Sequence, residues 1–474
     1  MPRETTQKNG ELFVFSVVSS IVIASRLPFL LPGYGTDPDG WGVAWVARQI
    51  AAGSGYLPSR FPGYPVQELV SSLIWKGGPL ALNGATAILS GLAAAFLALS
   101  MKTLGHQRPV LASLAFAFVP VVFINSANAM DYMWAIAFIL GSLYFLLGNR
   151  LLISAILLGL AVGCRITSAA MVVPLGILLF MRRRSLAALA GWMALAAVVG
   201  AIAFLPGLLK YGLALFELKH LGTIPWTKVV PMATTSVWGA LGLGALGFGV
   251  AWSALRLIRC RGSSPPSPYG WRGLVWALPI LLYSIAFMLH PHDSGYLIPV
   301  VPFTILILSE IGEQKGFEFA CVGLLCSSFL LGVHLGPPTY FPAPQNSVLN
   351  FSVPVDLFRW RVYVAPFQGP ILFDHSVRTY EVNRFQDIIS MESKRNARAV
   401  VVTGWELPKF AVLAPEPRGS VEYVWLLDGQ QAERYRNDGF QILFLPEMLQ
   451  PNEDVYGINL REFGAVPVGL GSHP

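Results

Sequence analysis

The sequence predicts a polytopic α-helical membrane protein of about eleven transmembrane helices, followed by a small extracytoplasmic α/β domain. Three observations predict it. Only 12% of the 474 residues are charged, while 54% are hydrophobic, against about 25% charged in a soluble domain. Apolar runs approaching the roughly 20 residues that cross a bilayer core recur up to residue 336. After the Pro-rich "GPPTYFPAPQ" the character changes to short apolar stretches alternating with amphipathic ones.

The runs are placed at 12–32, 79–101, 109–127, 133–148, 151–164, 168–181, 186–208, 236–258, 273–290, 297–310 and 319–336. The first is read as a retained span, because Pro-Gly-Tyr-Gly follows it rather than a small-x-small cleavage site. Cytoplasmic loops carry the excess of Lys and Arg. With Arg3 and Lys8 in the cytoplasm, an alternating path places Lys102, Arg108, Arg150, Arg182, Arg183, Arg184, Arg256, Arg259, Arg261, Arg272 and Lys315 on that side too. The opposite side receives "GYGTDPDG", "NAMDY", the 209–235 loop, "HPHDSGY" and the whole C-terminal part. The expected division is therefore a membrane domain at 1–337 and an extracytoplasmic α/β domain at 338–474. In the latter, "ARAVVVTGW", "VEYVWLLDG" and "FQILFLP" read as strands. "RTYEVNRFQDIISMESKR" and "GQQAERYRNDG" read as helices.

The net charge of +7 is thus a matter of orientation, and no basic run interleaved with aromatics points to nucleic acid. Cys164, Cys260, Cys321 and Cys326 lack metal-ligand spacing and read as small core or lipid-facing residues.

Four outside connections carry residues with chemical potential. In the first, a helix at about 39–52 has Trp41, Val43, Ala44, Val46, Ala47 and Ile50 at helical spacing, and lies in the interface plane. Asp37 and Asp39 precede it as a helix cap, with Asp39 well placed, or as a general base or metal ligand. Arg60, Tyr64 and Glu68 follow in a Pro/Gly-punctuated loop. In the second, Asp131 is either a helix-start residue or a functional acid at the membrane mouth. In the third, Arg165 lies between two short apolar runs. There it either snorkels or meets an anion, a lipid phosphate or Asp131. In the fourth, His290, His292, Asp293 and Tyr296 form a polar cluster suited to a phosphate or sugar. Their metal signal is weak without a third strong ligand. Lys219 and His220 add positive charge on the same side.

Taken in order, "TDPDGWGVAWVARQIAAGSGYLPSRFPGYPVQE", the "NAMDY…GLAVGCR" hairpin and "HDSGYLIPVVPFTIL" resemble the GT-C superfamily of membrane glycosyltransferases, which includes protein O-mannosyltransferases and aminoarabinose transferases. The resemblance spans roughly residues 10 to 310. It implies transfer of a sugar from a polyprenyl-phosphate donor to a glycan, lipid or protein acceptor, by inverting displacement at the outer membrane face. It makes Asp39 or Asp37 the base, with the lean toward Asp39, and matches Asp131 to the second-loop acid. Arg60, Tyr64, Arg165, Lys219, His220, His292, Asp293 and Tyr296 are the expected substrate and phosphate contacts. No cofactor is assigned. A divalent metal ion is a candidate, though the second loop lacks the acidic pair of some relatives. The expected setting is a bacterial inner membrane. A lipid-linked-sugar transporter or flippase, or a non-catalytic scaffold, are the competing readings.

Overall fold

The computed structural model describes residues 2–217, 224–259, 270–335, 353–357, 360–394, 398–414 and 421–468. Lys219, His220, Cys260 and the Pro-rich linker lie outside them.

The membrane part contains helices α1 (Pro2–Arg26), α2 (Pro38–Ala51), α3 (Pro65–Ile74), α4 (Gly78–Leu104), α5 (Pro109–Phe118), α6 (Pro120–Asn125), α7 (Tyr132–Leu147) and α8 (Leu151–Cys164). It continues with α9 (Val172–Arg183), α10 (Leu186–Tyr211), α11 (Trp226–Ala233), α12 (Thr235–Arg259), α13 (Gly270–Leu289), α14 (Val300–Ile311) and α15 (Gln314–Ser327). Six helical segments are long and apolar enough to cross a membrane, and four shorter apolar helices accompany them. Eleven full-length spans are not present among the described residues, and the reasons are local. Pro120 lacks an N–H and splits the 109–127 run into α5 and α6, with Val119 extended at ψ 134°. The 151–164 run is one of the shorter helices, whereas the 168–181 run lies within Ile166–Arg183, one of the six segments long enough to cross. Between them Arg165 is extended and a 3-10 turn, Ile166–Met171, follows. The run read as the last span, 319–336, ends its helix at Ser327, and Gly332–Leu335 is already a strand.

α1 packs on α4, α4 on α7, α7 on α8 and α8 on α10; α12 packs on α15, and α13 on α14. Phe116, Ile136, Leu140, Leu158, Phe303 and Leu306 are buried in their common core. Small residues set the closest approaches, as expected where lipid supplies no hydrophobic drive between helices. A Cβ on Gly159 of α8 would stand 2.5 Å from the Val199 side chain and 2.7 Å from the Ala196 carbonyl of α10.

Beyond α15, β1 (Gly332–Leu335), β2 (Val353–Leu357) and β3 (Trp360–Ala365) form an antiparallel sheet in the order β1-β3-β2. A second, parallel sheet has the order β5-β4-β6-β7, from β4 (Ala399–Val402), β5 (Val421–Val424), β6 (Gln441–Phe444) and β7 (Val466–Pro467). Parallel strands need crossovers, supplied here by α17 (Leu407–Leu413), α18 (Gly429–Asn437) and α19 (Leu449–Tyr456). β4 is buried on both faces, which is why its sequence is an unbroken Ala-Val-Val-Val. The long α16 (Pro370–Ser393) carries Phe385 and Ile388 into the core of this sheet.

The α8–α10 contact has a direct test. Gly159→Leu is expected to destabilise the chain by about 1–3 kcal/mol through overpacking, read by thermal unfolding in detergent. Gly191→Ala, where nothing lies within 4 Å of an added Cβ, should leave the transition in place.

Candidate active site

The connections after α1, α3's approach, the α6–α7 turn, the end of α8 and the start of α14 gather at one end of the bundle. Their side chains form one polar cluster.

α2 begins at Pro38, one residue earlier than the expected start at 39. Pro38 takes the first helical position, which suits its fixed φ and missing N–H. Asp37 therefore becomes the N-cap, accepting the Asp39 N–H at 2.8 Å. The expectation that Asp39 caps the helix is corrected: Asp39 lies inside the first turn, where its carboxylate is bonded by the Arg60 guanidinium.

Arg60 is delivered by a loop organised around one buried carboxylate. Glu68, on α3, accepts the Tyr56 hydroxyl at 2.6 Å, the Ser59 N–H and hydroxyl at 2.6 Å each, and the Tyr64 N–H at 3.0 Å. These bonds close the 55–68 loop and aim Arg60 inward.

Asp131 precedes α7 but makes no capping bond. Asp131 does stand at the helix start, with its carbonyl accepting the Ala135 N–H at 3.1 Å, but its side chain does not cap because both carboxylate oxygens are engaged elsewhere. Oδ2 accepts Arg165 Nη1 at 2.6 Å, and Oδ1 faces Arg60 Nη2 at 3.5 Å. Arg165 does not snorkel; it is 9% exposed. Its guanidinium lies 4.1 Å from the Tyr132 ring centre, 4.7 Å from Tyr296 and 5.9 Å from Tyr64. Aromatic faces stabilise a desolvated cation there.

Asp293 accepts the Gly295 N–H at 2.8 Å and the Tyr132 hydroxyl. Gly295 is a place for glycine alone, since a Cβ would lie 2.6 Å from the Tyr132 ring. The cluster thus joins Asp37, Asp39, Arg60, Tyr64, Asp131, Arg165, Asp293 and Tyr296 of the expected residues. Among the described residues His292 makes no side-chain bond to it, and Lys219 and His220 are outside the description. Tyr132 and Glu68 are the members that sequence reasoning did not assign. Tyr132 stands next to Asp131 in "MDYMW", and Glu68 four residues after Tyr64.

Four carboxyls face two guanidiniums. Burial, then the Asp39 and Asp293 charges, push the Asp37 carboxyl up to about 7, against the opposing pull of Arg60 and the Asp39 N–H. Burial also raises Asp39, with Arg60 as the principal opposing influence. Asp37 is the acid of this group suited to exchanging a proton near neutrality. Among the described residues no three His, Cys, Asp or Glu side chains are arranged to hold a metal ion. The Asp131 oxygens that a metal would use face arginines instead. The divalent-metal expectation therefore has no fitting donor set here.

Neither a family model nor a curated protein matches the chain. Among solved structures the chain is similar to ArnT from Cupriavidus metallidurans bound to undecaprenyl phosphate. The TM-score is 0.45 at 12% identity, over 95% of this chain and 97% of that one. It is similar as well to the apo state of ArnT from the same organism, with TM-score 0.46 at 12% identity over 95% of each chain.

Arg165→Ala leaves Asp131 buried with only the longer contact to Arg60, and is expected to cost about 3–5 kcal/mol of stability. The double variant Asp131→Asn/Arg165→Met should recover much of that loss, because it removes both charges together. Chemical unfolding in detergent compares the two.

Proposed function

We propose that the chain is a glycosyltransferase of the GT-C type. It moves a sugar from a polyprenyl-phosphate donor to an acceptor group at the extracytoplasmic face of a bacterial inner membrane, with its N-terminus in the cytoplasm. One observation carries the reading: a carboxyl poised near neutrality, Asp37, stands in the same half-buried cluster as two arginines at the mouth of an apolar bundle. Base and phosphate binder are the two groups the displacement requires.

In this reading the acceptor hydroxyl or amine attacks the anomeric carbon as the bond to the lipid phosphate breaks. The acceptor proton passes to the Asp37 carboxylate, and the phosphate leaves as the polyprenyl monoester. Arg60 takes up the growing phosphate charge, since guanidinium binds phosphate oxygens in a bidentate fork. It is the more exposed of the two arginines, at 25% of its side chain against 11% for Arg165. Arg165 is held by Asp131 and the tyrosine rings, so it fixes Asp131 and thereby Arg60. Asp39 anchors the other side of the Arg60 guanidinium. The lean toward Asp39 as base gives way to Asp37 because a carboxylate bonded to guanidinium is the weaker proton acceptor. Tyr64 and Tyr296 offer ring faces for the sugar.

Sidedness is supported by the helix directions. Leu104–Arg108, Arg150, Arg182–Arg184 and Gly312–Gln314 fall at helix ends opposite the cluster. The basic connections then lie together in the cytoplasm, as the positive-inside rule requires.

The assay is transfer from a radiolabelled polyprenyl-phosphate sugar by membranes containing the chain. Asp37→Asn is expected to lower kcat by about 10²–10⁴-fold. The acidic limb of the wild-type kcat/KM profile should fall near pH 7. Asp293→Asn removes a charge that raises Asp37, so its limb should move to lower pH. An inactive wild type sinks the reading, and so does an Asp37→Asn variant of full activity.

A further inference from the structure

α16 and α17 belong to the C-terminal part of the chain, yet their polar residues reach into the loops that carry the acids. Arg378, 1% exposed, donates Nη1 to the Phe29 carbonyl at 2.8 Å and to the Ala127 carbonyl at 3.0 Å. One carbonyl precedes the first loop and the other lies four residues before Asp131. Arg378 Nη2 pairs with Asp374 Oδ2 at 3.2 Å, and Asp374 Oδ1 accepts the Thr36 hydroxyl at 2.6 Å. Lys409, also 1% exposed, donates to the Thr36 carbonyl at 3.1 Å and pairs with Glu381 and Glu406 at 2.8 Å each. Thr36 is the residue before Asp37, so both its hydroxyl and its carbonyl are held from the C-terminal side.

An apolar contact reinforces the bonds. Val382 of α16 and Val412 and Leu413 of α17 pack with Tyr34, Trp41 and Leu82. Trp41 Nε1 in turn donates to the Gly35 carbonyl at 2.9 Å, and Tyr34 accepts the Ala129 N–H at 3.0 Å. The first loop is thereby pinned between the second loop and the C-terminal helices.

We propose that Arg378 and Lys409 are positioning residues for the Asp37 carboxyl, and that the C-terminal module is part of the transfer machinery as the clamp on its first loop. The proposal rests on the transfer reading above. A free Arg or Lys side chain loses considerable rotamer freedom on burial, and a buried unpaired charge is costly. Burying two cations against backbone carbonyls of distant loops therefore demands that those loops adopt one arrangement.

The test uses the full-length chain in detergent, with Arg378→Lys, which keeps the charge and loses the forked reach, and with Thr36→Val, which removes the hydroxyl alone. Arg384→Ala, breaking the surface pair with Glu447, is the control. Hydrogen–deuterium exchange at 33–40 and 126–131 should quicken in the first two and not in the control. Per folded enzyme, kcat should fall roughly 10–100-fold, the scale of a small misplacement of a reacting group, with acceptor KM little changed. The acidic limb should move to lower pH as water reaches Asp37. Unchanged exchange in Arg378→Lys and Thr36→Val overturns the clamp whatever the activity. Faster exchange with kcat and acidic limb within twofold of wild type overturns the positioning role. A wild type that transfers no sugar overturns the transfer reading itself, and the exchange arm separates that result from failure of the clamp.

Discussion

The shared carboxylate of Asp131 is the interaction on which the rest of the structure depends. It is 1% exposed and stands between Arg165 at 2.6 Å and Arg60 at 3.5 Å. A buried carboxylate with one arginine would be neutral as a pair. With two, it leaves a single positive excess, which Asp39 offsets through Arg60; Asp37 and Asp293 stand farther out on the negative side of the balance. Asp131, Asp39 and the two arginines are tolerable in the low-dielectric mouth of the bundle only because of one another. Removing one charge therefore changes the environment of all the rest, and the cluster behaves as a unit rather than as a set of pairs.

That constraint explains the local structure around it. The 55–68 loop exists to carry Arg60, and Glu68 spends all its accepting capacity on keeping that loop closed. The break after Cys164 turns Arg165 inward, where a continuous helix would have pointed it along the span. The three tyrosine faces around Arg165 replace water that the apolar bundle excludes. Even the glycine at 295 follows from the need to lay the Tyr132 ring against the start of α14.

Much of this was legible in the residues. Asp37, Asp131, Arg165 and Asp293 announced themselves because charge beside long apolar runs is expensive. The strands β4, β5 and β6 coincide with the three apolar stretches read after the linker. Other parts were not legible. The helix break at Pro120 depends on backbone geometry that a hydropathy window averages away. Which acid caps α2 turned on Pro38, a position the apolar periodicity does not weigh. Arg378 read as an ordinary charge on an amphipathic helix and Lys409 was not singled out, because nothing local to residues 370–413 records that their partners sit at 29, 36 and 127. Long-range partnership leaves no periodic trace.

The Thr36–Asp374 bond joins residues 338 positions apart. A ribosome releases the first of them into the membrane long before it makes the second. Every intervening span must be threaded while the loop bearing Asp37 still lacks its last support. The chain's own length thus acts as a timer: the end of the bundle that holds the acids is completed only after every membrane helix has been made, and a chain cut short before Asp374 would lack that support.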